Sequence, residues 1–200
     1  MADLAPGFHH GLPMADYIAL PALNAGTIRT LLDRCPAAAW YESPWNTTRP
    51  RDDTAATDAG SIAHSILLEG DESICQVFNP SEYANAKGGG VATGWTNNAI
   101  REARDACRAA GKIPVLQDDM GEIRALVDAA RAYVESLRQD EPAIWRMFQP
   151  DGGRSEVTLV WREGETLCKA RADRIATDYS IIADYKSSAL SVEQIGRAHV

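Results

Sequence analysis

The sequence predicts an α+β fold, helical over most of its length and closed by a charged β-sheet. Two observations predict it. Apolar residues recur at helical spacing in several segments between residues 21 and 150, and the pattern changes to period two after Asp151-Gly152-Gly153. The last strands then mix acidic and basic residues with isoleucines and alanines, as in ARADRIATDYSIIADYKSS from Ala170 to Ser188. A half-buried sheet face of that composition is costly unless its charges are paired or hold an ion.

The chain has 200 residues, which suits a single domain with a core of ordinary size. That domain is expected over residues 21–194, helical through 21–150 and with its sheet at 154–188. Residues 1–20 hold Pro6, Gly7, Gly11 and Pro13 and are expected to form a flexible arm. Composition is that of a soluble globular protein, 45% hydrophobic and 24% charged. No apolar run approaches a membrane span and MADLAPGFHH lacks a secretory pattern, so the expected compartment is a bacterial cytoplasm, with no membrane partner. Cys35, Cys75, Cys107 and Cys168 are widely spaced and read as buried thiols, not as a zinc or iron–sulfur site. A net charge of −8 argues against a nucleic-acid coat protein. It leaves room for a nuclease, whose metal-binding carboxylates are themselves acidic.

In chain order, a helix starts at Asn24 or Thr27 as cap, with Ile28, Leu31 and Leu32 as its stripe, and stops before Pro36. A short helix follows over 36–41, and 43–57 reads as loop. The segment 57–69 is helical, with Ile62, Ala63, Ile66 and Leu67 on its buried side and His64 in the middle. Taken alone, such a histidine is more often a core or surface residue than a ligand. Residues 70–94 contain Asn79-Pro80-Ser81 and Gly88-Gly89-Gly90, and the glycine run reads as a flexible loop. The run Gly88-Gly89-Gly90 has no preceding strand and no following Gly-Lys-Ser/Thr, so it is not a phosphate loop, and a lid is the alternative. Helices are expected over 96–110, 117–137 and 142–148. The second carries Met120, Ile123, Leu126, Val127, Ala130 and Val134 at helical spacing. Arg101, Arg104, Arg108, Arg124 and Arg131 read as a solvated face in preference to DNA contacts.

Three strands close the chain: SEVTLVWRE, ETLCKARADRIA and SIIADYK, the last two joined by a turn at Thr177-Asp178-Tyr179-Ser180. Asp184 and Lys186 are two apart, so on a strand they share a face, and Asp173 on the preceding strand can face them. A divalent cation suits the carboxylates, which leaves Lys186 to act on a phosphate or a water. Arg171 shares the face of Asp173. It serves either to touch phosphate or to pair with Glu156 or another carboxylate.

Glu156, Asp173 and Asp184-Tyr185-Lys186 stand on successive strands behind the helix Gly60-Ser61-Ile62-Ala63-His64-Ser65-Ile66-Leu67-Leu68-Glu69. With the strand K-A-R-A-D-R-I, this combination resembles the PD-(D/E)XK nuclease superfamily, and within it the RecE-like, exodeoxyribonuclease VIII branch. The resemblance covers roughly residues 20–190. It implies a restriction-endonuclease-like core, a mixed sheet flanked by helices with an N-terminal helical part. It implies His64, Asp173 and Asp184 as metal ligands with the Tyr185 backbone carbonyl, Glu156 on a metal directly or through water, and Lys186 as the residue that orients or helps deprotonate the attacking water. Glu156, Asp173, Asp184 and Lys186 are thus the expected catalytic set, and Arg171, Ser187 and Ser188 the expected DNA contacts. Mg²⁺ is the implied cofactor, with Mn²⁺ equally suited to a set containing imidazole.

The implied activity is 5′→3′ exonuclease action on linear duplex DNA, leaving 3′ single strands for a RecT-like annealing partner in DNA recombination, in a phage or prophage setting. A ring of identical subunits is a further expectation of the resemblance. The alternatives are a Cas4- or RecB-like nuclease module of a larger complex, or a catalytically inactive DNA-binding domain of the same fold. The Q-x-x-x-Y motif that follows the D-x-K strand in such proteins is not reproduced by Gln194, and the four cysteines do not form the Cas4 cluster. The tail 195–200, IGRAHV, matches a translated sequencing-adapter frame, so it and His199 are given no functional weight.

Overall fold

The computed structural model describes residues 4–46, 48, 55–83 and 90–186. Ser187, Ser188, Gly88, Gly89, Gln194 and His199 lie outside the described residues. The chain is mixed α+β, as its changing periodicity predicts. It divides into two compact units, Met1–Asp52 with Leu137–Asp184 and Asp53–Ser136 with Tyr185–Val200.

The first unit is built on a four-stranded antiparallel sheet in the order β1-β4-β5-β6. Its centre is the hairpin of β4 (Gly153–Glu163) and β5 (Thr166–Ala176). The two-residue loop between them carries Gly164 at φ 60°, at the first central position, where primed hairpin turns accept glycine. Strand β1 (Gly7–His9) adds to β4 with Phe8 opposite Leu159, and helix α1 (Met14–Ala19) follows it. Within the segment expected as an arm, Gly7–His9 and Met14–Ala19 form regular elements. Their short, proline- and glycine-rich sequence carries no periodicity of its own, and the order comes from partners elsewhere in the unit.

Helix α2 (Ala25–Asp33) is capped by Asn24, whose side chain accepts from the Thr27 amide at 2.8 Å. Helix α3 (Pro36–Glu42) begins with proline at its first turn, where the missing N–H costs nothing. Helix α7 (Pro142–Met147) comes so near the start of β4 that a Cβ on Gly152 would lie 1.6 Å from the Arg146 carbonyl oxygen. The turn after β5 is the predicted one, closed by Asp178 accepting from the Ser180 amide at 3.0 Å, with Tyr179 at φ 61°. The strand that follows is shorter than expected: β6 spans only Ile182–Ala183.

The second unit packs α4 (Ala55–Leu68) and α6 (Gln117–Ser136) over a parallel pair, β2 (Cys75–Phe78) and β3 (Ile113–Leu116). Neither strand is expected from the sequence, because four-residue strands, one containing Pro114, leave no alternation to detect. Ile62, Ala63, Ile66, Met120, Ile123 and Val127 fill the core between the helices, at about 1.5–3 kcal/mol for each large side chain buried. Leu126, expected in that stripe, is 46% exposed. Helix α5 (Asn98–Ala109), capped by Asn97, buries Ile100 and Cys107 against Phe78 and Ala92. Cys75, Cys107 and Cys168 are buried thiols as expected, whereas Cys35 is exposed.

Candidate metal centre

The β4–β5 ladder places two carboxylates face to face. Ser155 pairs with Arg174 and Val157 with Ala172, so the same register puts Glu156 opposite Asp173. The ladder is interrupted at that one position without a change of register. There the backbone of Glu156 enters the left-handed region, at φ 56°. A glutamate held there costs about 1–3 kcal/mol, a strain that survives only where the surroundings enforce it. Its carboxylate and that of Asp173 have oxygens within 4.8 Å of each other. Both residues are half-buried. Like charges directly opposite on a sheet repel, so this backbone strain and this repulsion fall at the same position.

The residues that alternate with Asp173 along β5 explain how the pair is held. Arg171 donates from Nε to Glu156 Oε2, and from a terminal nitrogen to the Leu12 carbonyl at 2.8 Å and to Thr158 Oγ1 at 3.3 Å. Its guanidinium lies 5.7 Å from the centroid of the Tyr17 ring. Of the two roles sequence reading left open, the structure shows the ion pair with Glu156. Two residues earlier, Lys169 is 2% exposed. Its ammonium donates to the carbonyls of Tyr17, Ile18 and Leu20 at 2.7, 3.1 and 2.9 Å, at the C-terminal end of α1. A cation there adds a donor to carbonyls of the last turn, of which that of Tyr17 also accepts from the Leu20 amide at 3.3 Å, and meets the negative end of the helix dipole. Burial nevertheless pushes its pKa below the usual lysine range. The sequence K-A-R-A-D thus divides one face among three tasks: holding α1, holding Glu156, and presenting Asp173. Lys169 escaped sequence reasoning, although its period-two spacing from Arg171 and Asp173 was the signal.

On the other face, Arg174 is buried and donates to the carbonyls of Met147 and Gln149 and to Ser155 Oγ. These bonds tie Arg174 to α7 and to the start of β4.

Asp184 comes directly after β6, is exposed, and is not part of the close Glu156–Asp173 group. The expectation that Asp184 and Lys186 share the face of one strand is corrected, because the ladder stops at Ala183. Asp184 closes the first unit, while Tyr185 and Lys186 belong to the second. Within the second unit Tyr185 packs against the α4–α6 core, with its ring edge-on to His64 at 6.4 Å between centroids. Burial raises the pKa of its phenol. His64 is half-buried on α4, beside the fully buried Ile62 and Ala63.

The arginines of the second unit are engaged within it. Arg108 pairs with Asp58 at 2.6 Å, Arg124 with Glu72 at 2.7 Å, and Arg131 donates to the Ile66 carbonyl at 3.1 Å. Arg101 donates to the Trp95 carbonyl and Arg104 to Asp105. Arg101, Arg124 and Arg131 are exposed, whereas Arg104 and Arg108 are half-buried. Among the described residues no helix is long and apolar enough to cross a membrane.

The donor chemistry of Glu156 and Asp173 fits a hard divalent cation: two carboxylates, close together, on rigid neighbouring strands. No family model matches this chain, and no curated protein and no solved structure is significantly similar to it.

Proposed function

We propose that the chain is a metal-dependent nuclease that hydrolyses phosphodiester bonds in DNA, with Glu156 and Asp173 as the core of its metal centre. One observation carries this reading: two carboxylates opposed in register, one of them on a strained backbone. Two carboxylates so placed offer a hard divalent cation two oxygen donors from neighbouring strands. The resemblance to PD-(D/E)XK nucleases adds the restriction-endonuclease-like core, the G-x-x-x-H helix of His64, and the D-x-K triplet of Asp184 and Lys186. In this reading His64, Asp184 and the Tyr185 carbonyl complete the ligand set for Mg²⁺ or Mn²⁺.

A bound divalent ion would supply Lewis acidity at the scissile phosphate and lower the pKa of a nearby water. The chain's own residues do the rest. Glu156 and Asp173 fix the cation on the two rigid strands. Lys186 presents a compact positive charge that steadies the phosphate and orients the attacking water. By the resemblance, the substrate is linear duplex DNA degraded 5′→3′, and the exposed 3′ strand passes to an annealing protein of the RecT type.

A second reading, a catalytically silent DNA-binding domain of the same fold, is favoured by Arg171. Its guanidinium already balances Glu156 without an ion. Incubation with end-labelled linear and closed circular duplex DNA separates the two. The nuclease predicts Mg²⁺-dependent release of nucleotides from linear DNA, abolished by chelator and by Asp173→Asn. Binding of DNA with no cleavage in Mg²⁺ or Mn²⁺ overturns it in favour of the silent domain.

A further inference from the structure

We propose that Arg171 is a positioning residue that ties the N-terminal helix to the acidic pair, so that α1 sets the aim of Glu156. The proposal rests on the metal-centre reading for its functional consequence. Its structural basis is independent of that reading.

Arg171 makes three kinds of bond from one planar group: to the Glu156 carboxylate, to Thr158 on the same strand as Glu156, and to the Leu12 carbonyl just before α1. The ring of Tyr17, on α1, lies beside its guanidinium. The side chains of Arg171 and Glu156 are only 12% and 16% exposed, so neither is free to choose another partner in solvent. The other end of α1 is fixed by the Lys169 ammonium. Helix α1 is therefore held at both ends by cations from the strand that carries Asp173, and one of them also grips the residue facing Asp173. Glu156 sits at φ 56°, where it would relax if nothing restrained it. Arg171 is in contact with its carboxylate and can restrain it. The short segment 12–20 thus belongs to the support of the site.

This role differs from that of a competing charge. A guanidinium that merely neutralised Glu156 would weaken cation binding, and its removal would strengthen it. A guanidinium that aims Glu156 has the opposite effect, because partners that orient a ligand are commonly worth 10–100-fold in metal affinity. Lysine does not substitute, since an ammonium lacks the rigid fork that reaches Glu156, Thr158 and the Leu12 carbonyl together.

The test is Mn²⁺ titration by calorimetry of wild type, Arg171→Lys and Arg171→Gln, with amide hydrogen exchange on the metal-free proteins. Both variants are expected to bind Mn²⁺ about tenfold more weakly, and Arg171→Gln is expected to speed exchange at both Leu20 and Val157. Binding by Arg171→Gln as tight as or tighter than wild type overturns the proposal, as does full retention by Arg171→Lys. If wild type takes up no Mn²⁺, the metal-centre reading fails. The tie between α1 and Glu156 is then judged by exchange alone, and unchanged exchange at either amide overturns it.

Discussion

Replacing Glu156 by glycine and by alanine isolates the strain at the centre of the site. Both substitutions delete the carboxylate, its repulsion with Asp173 and its bond to Arg171, so these contributions cancel in the comparison. What remains is the Cβ. At φ 56° an L-residue costs about 1–2 kcal/mol that glycine does not pay. In an ordinary strand the order is reversed, and glycine is the less stable by roughly 0.5–1 kcal/mol. The structure therefore predicts Glu156→Gly to be more stable than Glu156→Ala by about 1 kcal/mol, a difference of about 2–4 °C in melting temperature for a chain of this size. Urea unfolding of the metal-free variants, followed by tryptophan fluorescence, measures it. Equal stability, or a more stable alanine variant, would show that Glu156 lies in regular strand and would remove the strain from the account of the site.

Other substitutions test the supports. Lys169→Met removes the three hydrogen bonds from the ammonium to carbonyls at the end of α1 and is expected to cost roughly 3 kcal/mol in urea unfolding, at about 1 kcal/mol for each bond lost. Gly152→Ala drives a methyl group into the Arg146 carbonyl and should cost well over about 1 kcal/mol; a melting temperature equal to wild type would contradict the close approach of α7 to β4. In the second unit, the hydrogen bond from Arg124 holds the Glu72 carboxyl below the usual carboxylate range. A depressed folded pKa stabilises the protein at pH above the unfolded value, about 4.3 for glutamate, and that stability is lost as pH falls through the folded value. The advantage of wild type over Glu72→Gln should accordingly be present at about pH 6 and vanish on acidification below about pH 4, in parallel pH titrations of the two melting temperatures.

The parts of this fold that announce themselves in sequence are those with their own periodicity or their own cap. Asn24 and the Ile62–Ile66 stripe belong to that class, as does the β4–β5 hairpin with Gly164 at its turn. The parts that do not are made by distant partners. Strand β1 and helix α1 exist through β4, Lys169 and Arg171, and β2 is ordered by pairing with β3. The division into two units was equally hidden, because each unit is assembled from segments far apart in the chain. At the site, Glu156 and Asp173 were legible as candidates. Their opposition in register and the unusual backbone of Glu156 were not, since both depend on how two strands align. Asp184 shows the reverse error: an alternating sequence implied a longer strand than the two residues that pair.

The most direct measurement of the central claim is anomalous diffraction from crystals of the protein soaked in Mn²⁺. The account predicts one or two peaks whose nearest protein atoms are carboxylate oxygens of Glu156 and Asp173, within the range of about 2.0–2.6 Å of hard cations on oxygen, lost in Asp173→Asn. No peak at this pair, or a peak held elsewhere and unaffected by Asp173→Asn, would contradict it.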